Sequence, residues 1–141
     1  MERYYPINEE MARQAHEMMS FRDYPEGRLT REYQSYVDKA YEMADAAANA
    51  RPDEAERVYR IADRYAKKLA DNLNARSRIG IMCPSVMISG AGNFPVARKR
   101  KQNAASDKNF EEFQEIQKLL DKIRSIEKGK DRSEERCRER V

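Results

Sequence analysis

Residues 30–73 read TREYQSYVDKAYEMADAAANARPDEAERVYRIADRYAKKLADNL, and the spacing of their apolar side chains decides the fold. Tyr33, Tyr36, Val37, Ala40, Tyr41, Ala44, Ala47 and Ala48 recur at three- and four-residue steps, so they share one face of a helix for which Thr30 is the expected cap. Arg51-Pro52-Asp53 interrupts the pattern. Pro52 suits the first position of a further helix, and Asp53, Glu54 and Glu56 favour the positive end of its dipole. Val58, Ile61, Ala62, Tyr65, Leu69 and Leu73 then continue an apolar face. Two long amphipathic helices joined by so short a turn are expected to pack antiparallel, as a hairpin, with the second fraying around residues 74–78.

Toward the N-terminus, Asn8 is the expected cap of a first helix of about three turns that carries Met11, Ala15, Met18 and Met19 on one face and ends near Ser20. Residues 20–29, centred on Pro25-Glu26-Gly27, have turn chemistry and read as a loop. Toward the C-terminus, residues 79–88 are the most apolar stretch and suit a short buried helix from Pro84 or a small β-hairpin; the helix is preferred because a lone hairpin is marginal. After the glycine-rich Ser89-Gly90-Ala91-Gly92-Asn93, either Asn93 or Phe94 is expected to cap a last helix with Pro95 in its first turn. Phe110, Phe113, Ile116, Leu120, Ile123 and Ile126 give that helix a seam, and Gly129 a stop. Unbroken from Pro95 to Lys128, it measures about 50 Å at 1.5 Å per residue. The expected fold is therefore all-α: an antiparallel helical hairpin plus a long C-terminal helix, with an irregular Gly-rich connector. It forms a single helical domain over residues 1–129, followed by a charged mobile tail over residues 130–141.

Charge is distributed unevenly along this framework. Residues 1–60 hold 9 bases and 13 acids, residues 61–110 hold 10 and 3, and residues 111–141 hold 9 and 9. Within the basic middle, the 35 residues from Asn72 to Ser106 contain no Asp or Glu although the chain has 25 acids in all. Arg76, Arg78 and the run Arg98-Lys99-Arg100-Lys101 lie there. An unneutralised surface of this kind suits an anionic partner, most simply phosphate.

The motifs favour binding over catalysis. Val86 to Asn93 looks superficially like a strand entering a dinucleotide-binding turn, but Pro95 stands at the third glycine position and no further strands exist to build a parallel sheet. What survives is a glycine-rich turn whose amides precede a helix start, with Arg98 to Lys101 in the first two turns beyond it. Successive helical positions rotate by about 100°, so the four cations form a collar, which grips backbone phosphate more readily than it reads bases. The candidate binding residues are Arg76, Arg78, Ser89, Gly90, Gly92, Asn93, Arg98, Lys99, Arg100, Lys101, Gln102 and Asn103. The plainer alternative is an ordinary connector beside a solvated charged face.

The single histidine, His16, reads as a surface or edge residue, and no nucleophile motif or spaced carboxylate pair accompanies it. No catalytic residue, cofactor or metal is expected. Cys83 and Cys137 form no CxxC and are expected reduced. All eight tyrosines precede Arg76, and those on helical stripes are read as core packing with hydroxyls at its boundary. No apolar run approaches the ~20 residues needed to span a bilayer, and the N-terminus lacks a signal-peptide layout, so a cytoplasmic location is expected.

At Pro84-Ser85-Val86-Met87-Ile88-Ser89-Gly90-Ala91-Gly92-Asn93-Phe94-Pro95-Val96, then Lys99, Lys101-Gln102-Asn103-Ala104-Ala105, Asp107 and Leu119-Leu120-Asp121-Lys122-Ile123-Arg124, the chain resembles a family of small mobile-element proteins. That family occurs on phages and conjugative elements of gut bacteria and includes type II-A anti-CRISPR inhibitors. A looser likeness runs through Asp23-Tyr24-Pro25-Glu26-Gly27, Tyr33, Val37-Asp38-Lys39-Ala40 and Tyr65-Ala66-Lys67-Lys68-Leu69-Ala70. Arg100 departs from the pattern, standing where the family carries an acid. The resemblance implies a partner in the bacterial host cell: a type II CRISPR effector nuclease, its guide RNA or its target DNA. Mimicry of DNA by acidic helices is disfavoured by the basic middle segment. The rival class is a nucleic-acid-binding accessory protein of a mobile genetic element, and a third is an interaction module that forms a homodimer through the Phe113–Ile126 seam.

Overall fold

The computed structural model describes residues 3–85, 90, 92 and 94–129. Among them are four α-helices: α1 (Glu9–Met19), α2 (Arg28–Ala50), α3 (Ala55–Ile81) and α4 (Val96–Glu127), with a 3-10 turn at Pro52–Glu54 between α2 and α3. The fold is all-α. α3 is central and packs against the other three, while α4 also lies along α2. α2 and α3 meet with residue numbers running in opposite senses: the Tyr33 hydroxyl donates to Ala66 O at 2.8 Å, and Tyr41 stacks on Tyr59 at 6.4 Å.

The core follows the stripes. Tyr33, Val37, Ala40, Ala44 and Ala47 of α2 are fully buried against Val58, Ala62, Tyr65, Leu69 and Leu73 of α3. Small alanines and two large tyrosines share this buried face, and the Tyr33 hydroxyl is satisfied within it by Ala66 O. α4 closes the core with Ile116, Leu120, Ile123 and Ile126, so the seam considered for dimerisation is covered within the chain. Phe110, expected on that seam, is 59% exposed. The buried stripe runs instead through Asn109 and Gln102, seven and fourteen residues before Ile116.

The segment ahead of α1 is tied down by polar contacts. The Tyr4 hydroxyl donates to Asp38, the Tyr5 hydroxyl donates to Asp63 at 2.7 Å, and the Tyr5 amide donates to the Tyr33 hydroxyl at 3.0 Å. Asn8 caps α1 as expected, accepting from the Met11 amide.

Three helix ends differ from expectation. α2 starts at Arg28, so Thr30 lies inside its first turn and Gly27 is the cap, in the left-handed region at φ 74° that glycine adopts without strain. The missing side-chain cap comes from α1: Glu9 accepts the Thr30 amide at 2.7 Å, together with the Thr30 and Tyr24 hydroxyls. α3 does not fray at residues 74–78 but continues to Ile81. Asn74 donates to Pro6 O and accepts the Asn8 amide, Ser77 is buried, and Gly80 passes so near α1 that a β-carbon there would lie 2.9 Å from the Ala15 β-carbon. Pro95 is the cap of α4 and not part of its first turn, and its carbonyl accepts the Lys99 amide. Gly129 ends α4 as expected, at φ 71°. Pro84 and Ser85 are not helical. Phe94, expected as one of two possible caps, is not the cap; the other, Asn93, the remainder of the short helix expected from Pro84, and the tail over residues 130–141 lie outside the described residues.

Candidate functional site

The C-terminal end of α3 meets the N-terminal end of α4, and this junction holds most of the residues singled out by sequence. The last carbonyls of any α-helix lack intrahelical partners. Here α4 supplies them: Gln102 Nε2 lies 2.9 Å from Ile79 O, 3.1 Å from Cys83 O and 3.4 Å from Gly80 O, and the Arg98 guanidinium donates to Met82 O at 3.0 Å. Lys99 Nζ donates to Gln102 Oε1 at 2.8 Å, which turns the amide nitrogen toward the carbonyls. Two cations thus sit beside the negative end of the α3 dipole. Seven residues further on, Asn109 Nδ2 donates to Asn72 O while Asn72 Nδ2 donates to Asn109 O, both at 3.0 Å and buried.

The collar therefore divides. Arg98 and Lys99 brace the junction, whereas Arg100 and Lys101 are exposed and have no side-chain partner among the described residues. Arg78 is likewise exposed on α3. Arg76 is exposed but lies 3.4 Å from Glu32, so its charge is partly offset by an acid that the acid-free window did not reveal. Gly90, at φ 82°, and Gly92 are both exposed. Ser89 and Asn93 lie outside the described residues. Gln102 is 7% exposed and is a clamp within the fold, while Asn103 is exposed beside it. The same end presents apolar surface: Met19 is 63%, Val96 56% and Met82 39% exposed. The Ser85 amide, donating to Met18 O at 2.9 Å, ties the start of the connector to α1.

Between α1, the start of α2, the end of α3 and the start of α4 lies a cleft of about 450 Å³. It brings together Arg76, Lys99, Gln102 and Asn103, and adds residues outside the candidate binding set, chiefly Arg28, Tyr24 and Glu32. His16, expected at an edge, lines it: its Nε2 is 2.9 Å from Arg22 O and its ring tilts against Tyr24 at 5.6 Å. Tyr24 and Arg28 flank the Pro25-Glu26-Gly27 turn, which is a local signal for both, whereas Glu32 is brought in by long-range packing. The Tyr24 hydroxyl donates to Glu9, and its burial and that bond both push its pKa up. Glu9 shows the opposite balance. Burial raises its pKa, but the bonds from Thr30 and Tyr24 outweigh this and leave the carboxyl below its ordinary value.

Among the described residues no group of His, Cys, Asp and Glu is arranged to hold a metal ion, and no helix is long and apolar enough to cross a membrane. Cys83 is buried, with its thiol 3.4 Å from Pro84 O. The junction combines cations at the end of a braced helix pair, a cleft with an apolar floor and charged walls beside them, and apolar side chains around the rim, an arrangement that suits anions. Comparison with protein-family models, with curated proteins and with solved structures returns no match for this chain.

Proposed function

We propose that this protein acts by stoichiometric binding, as an anti-CRISPR-type inhibitor that occupies a type II CRISPR effector nuclease, or its guide or DNA complex, and blocks target binding or cleavage. The observation that carries the binding surface is the exposure of Arg78, Arg100 and Lys101 at the α3–α4 junction, within a stretch that has no acid of its own. Exposed Met19, Met82 and Val96 add the apolar contact that a macromolecular partner desolvates. The clamp by Gln102 and Arg98 holds this end in place, which reduces the ordering cost of binding, while the outward cations steer association. The target class follows from the family resemblance, centred on residues 93–103. Cytoplasmic action in a bacterial host belongs to the same proposal.

The same exposed cations support a second reading, a nucleic-acid-binding accessory protein of a mobile element with no nuclease target. Titrating the protein against fixed effector–guide complex separates the two. Inhibition is expected to saturate near molar equivalence and to be lost in an Arg100→Glu/Lys101→Glu variant of unchanged thermal stability. Untouched target binding and cleavage by several type II-A effectors, beside salt-dependent retention on DNA or RNA, refutes inhibition and favours the accessory reading. Untouched cleavage together with no retention of the wild type on DNA or RNA at low salt refutes both.

A further inference from the structure

We infer that the cleft between α1, α2, α3 and α4 is a binding site for a nucleoside monophosphate group, with the planar ring against the Tyr24 wall and the phosphate between Arg28 and Lys99. Its volume of about 450 Å³ lies within the ~300–1,000 Å³ usual for small-ligand clefts. The lining has two chemistries. Ala12, Ala15, Leu29 and Ile79 give an apolar floor, at one edge of which Gly80 passes close to Ala15.

Tyr24 is a fixed wall: its hydroxyl donates to Glu9 at 2.7 Å and accepts the Leu29 amide at 2.9 Å, so the ring cannot swing away. His16 tilts against the same ring. Above this floor stand three cations, Arg28, Arg76 and Lys99, against one carboxylate, Glu32, which is committed to Arg76. The Arg28 side chain, close enough to Tyr24 to act on it electrostatically, makes no hydrogen bond or ion pair among the described residues, and Lys99 uses one of its three N–H donors on Gln102. An anion is needed to complete this charge pattern, and the apolar floor beside an aromatic wall calls for a flat ring attached to it. A bare phosphate leaves the floor wet; a neutral nucleoside leaves the cations unmatched. Asn103 and Ser106 at the mouth add hydrogen-bonding groups for the ring edge or the sugar.

The inference deepens the proposed function, on which it rests for the origin of the nucleotide: an unpaired residue of a guide or displaced strand. A free nucleoside monophosphate has the same chemistry, and the two sources are separated by experiment. The full chain is titrated, in amide-resolved NMR, with AMP, CMP, GMP and UMP, with adenosine, with inorganic phosphate, and with a short single-stranded RNA. At least one monophosphate is expected to give saturable shifts at Ala15, Tyr24 and Asn103 with Kd at or below ~1 mM. Adenosine and phosphate are expected to bind at least tenfold more weakly. Arg28→Glu is expected to raise Kd at least tenfold, and Asn103→Trp, at an exposed position on the mouth, to do the same by filling it. Tighter binding of the RNA than of any monophosphate, read at Ala15, Tyr24 and Asn103 and kept in the Arg100→Glu/Lys101→Glu variant, assigns the source to a strand, and the reverse assigns it to the free nucleotide.

Absence of saturable shifts, phosphate binding as tightly as the monophosphates, or a Kd unmoved by both variants while circular dichroism shows them folded overturns the inference. Neither Arg100 nor Lys101 lines the cleft, so the Arg100→Glu/Lys101→Glu variant keeps monophosphate binding if the site is as described. Failure of the cleft is thereby distinguished from failure of the inhibitory reading, which is measured on effector cleavage.

Discussion

Replacing Gln102 by Ala tests whether this residue is a clamp or a contact. Its amide nitrogen is within 3.5 Å of three carbonyls at the end of α3, at 2.9, 3.1 and 3.4 Å, and two N–H groups serve them. Net loss of a hydrogen bond costs about 1 kcal/mol, and a buried acceptor left without a partner costs about 1–3 kcal/mol. Arg98 continues to hold Met82 O and the Met82 amide continues to donate to Ile79 O at 3.1 Å in the variant, so the whole end is not released. The expected destabilisation is about 2–3 kcal/mol. In urea, with a slope of about 1–3 kcal/mol per M, the midpoint falls by roughly 0.7–3 M. Hydrogen exchange is expected to quicken at the amides of residues 77–81 before those at the centre of α3. Gln102→Glu is expected to cost at least as much, because carboxylate oxygens then face carbonyl oxygens. Asn103→Ala, one position along at an exposed site, is expected to stay within about 0.5 kcal/mol of wild type. A Gln102→Ala protein as stable as Asn103→Ala, with unaltered exchange at residues 77–81, refutes the clamp and returns Gln102 to the candidate contact residues.

Glu9 titrates below its ordinary value when folded, so its stabilising effect is present above the unfolded pKa near 4.5 and is lost as pH falls through the folded one. Urea unfolding across acidic pH is expected to show a steeper decline for wild type than for Glu9→Gln, whose stability is already lowered at neutral pH. At the alkaline end, burial pushes Tyr33 and Tyr65 up to about 12. Because these folded values exceed the unfolded value of 10.0, their contribution is intact below pH 10 and is lost as pH rises through about 12; Tyr65→Phe is expected to weaken that dependence in alkaline unfolding. Gly80→Ala gains about 1 kcal/mol of helix propensity yet is expected to destabilise by roughly 1–2 kcal/mol, since its β-carbon meets Ala15 at 2.9 Å. Ala15→Gly in the same chain is expected to recover part of that loss, measured as the coupling term of a double-mutant cycle.

Local chemistry made several elements legible in the sequence. The α2 and α3 stripes, the Asn8 cap and the Gly129 stop depend on residues within a turn or two of one another. The errors lie where a distant partner decides. Residues 74–78 look like a fraying end because they are polar, but Asn74 is held by Pro6 and Asn8, 68 and 66 positions away. Thr30 has the chemistry of a cap, yet the acceptor for its amide is Glu9 on another helix. Phe110 fails for a different reason. Apolarity pointed to it, whereas the inward direction at that level of α4 belongs to Asn109, one residue and about 100° away. The available signal was the heptad spacing of Gln102, Asn109, Ile116 and Ile123, which apolar counting passes over. At the candidate site the cations were legible as a cluster, but their division between brace and surface was not, because Met82, Glu32 and the end of α3 reach them only through folding.

That division follows from the two buried amides. An apolar seam such as Ile116, Leu120, Ile123 and Ile126 fixes which side of α4 faces inward but resists axial sliding only through side-chain fit. The reciprocal bonds between Asn109 and Asn72, and the reach of Gln102 to the carbonyls of Ile79 and Cys83, add partners that a slip of one turn would strand. A stranded buried amide costs more than the contact contributes, so the pair selects one register of α4 on α3. Register then sets the direction of every neighbouring side chain. With Gln102 inward, Lys101 lies about 100° and Arg100 about 200° around the helix, which turns both toward solvent, while Lys99, three positions back, returns to the cleft wall. The outward cations are thus placed by residues that are themselves buried, and a substitution at Asn72 or Asn109 is expected to act on the basic surface without touching it.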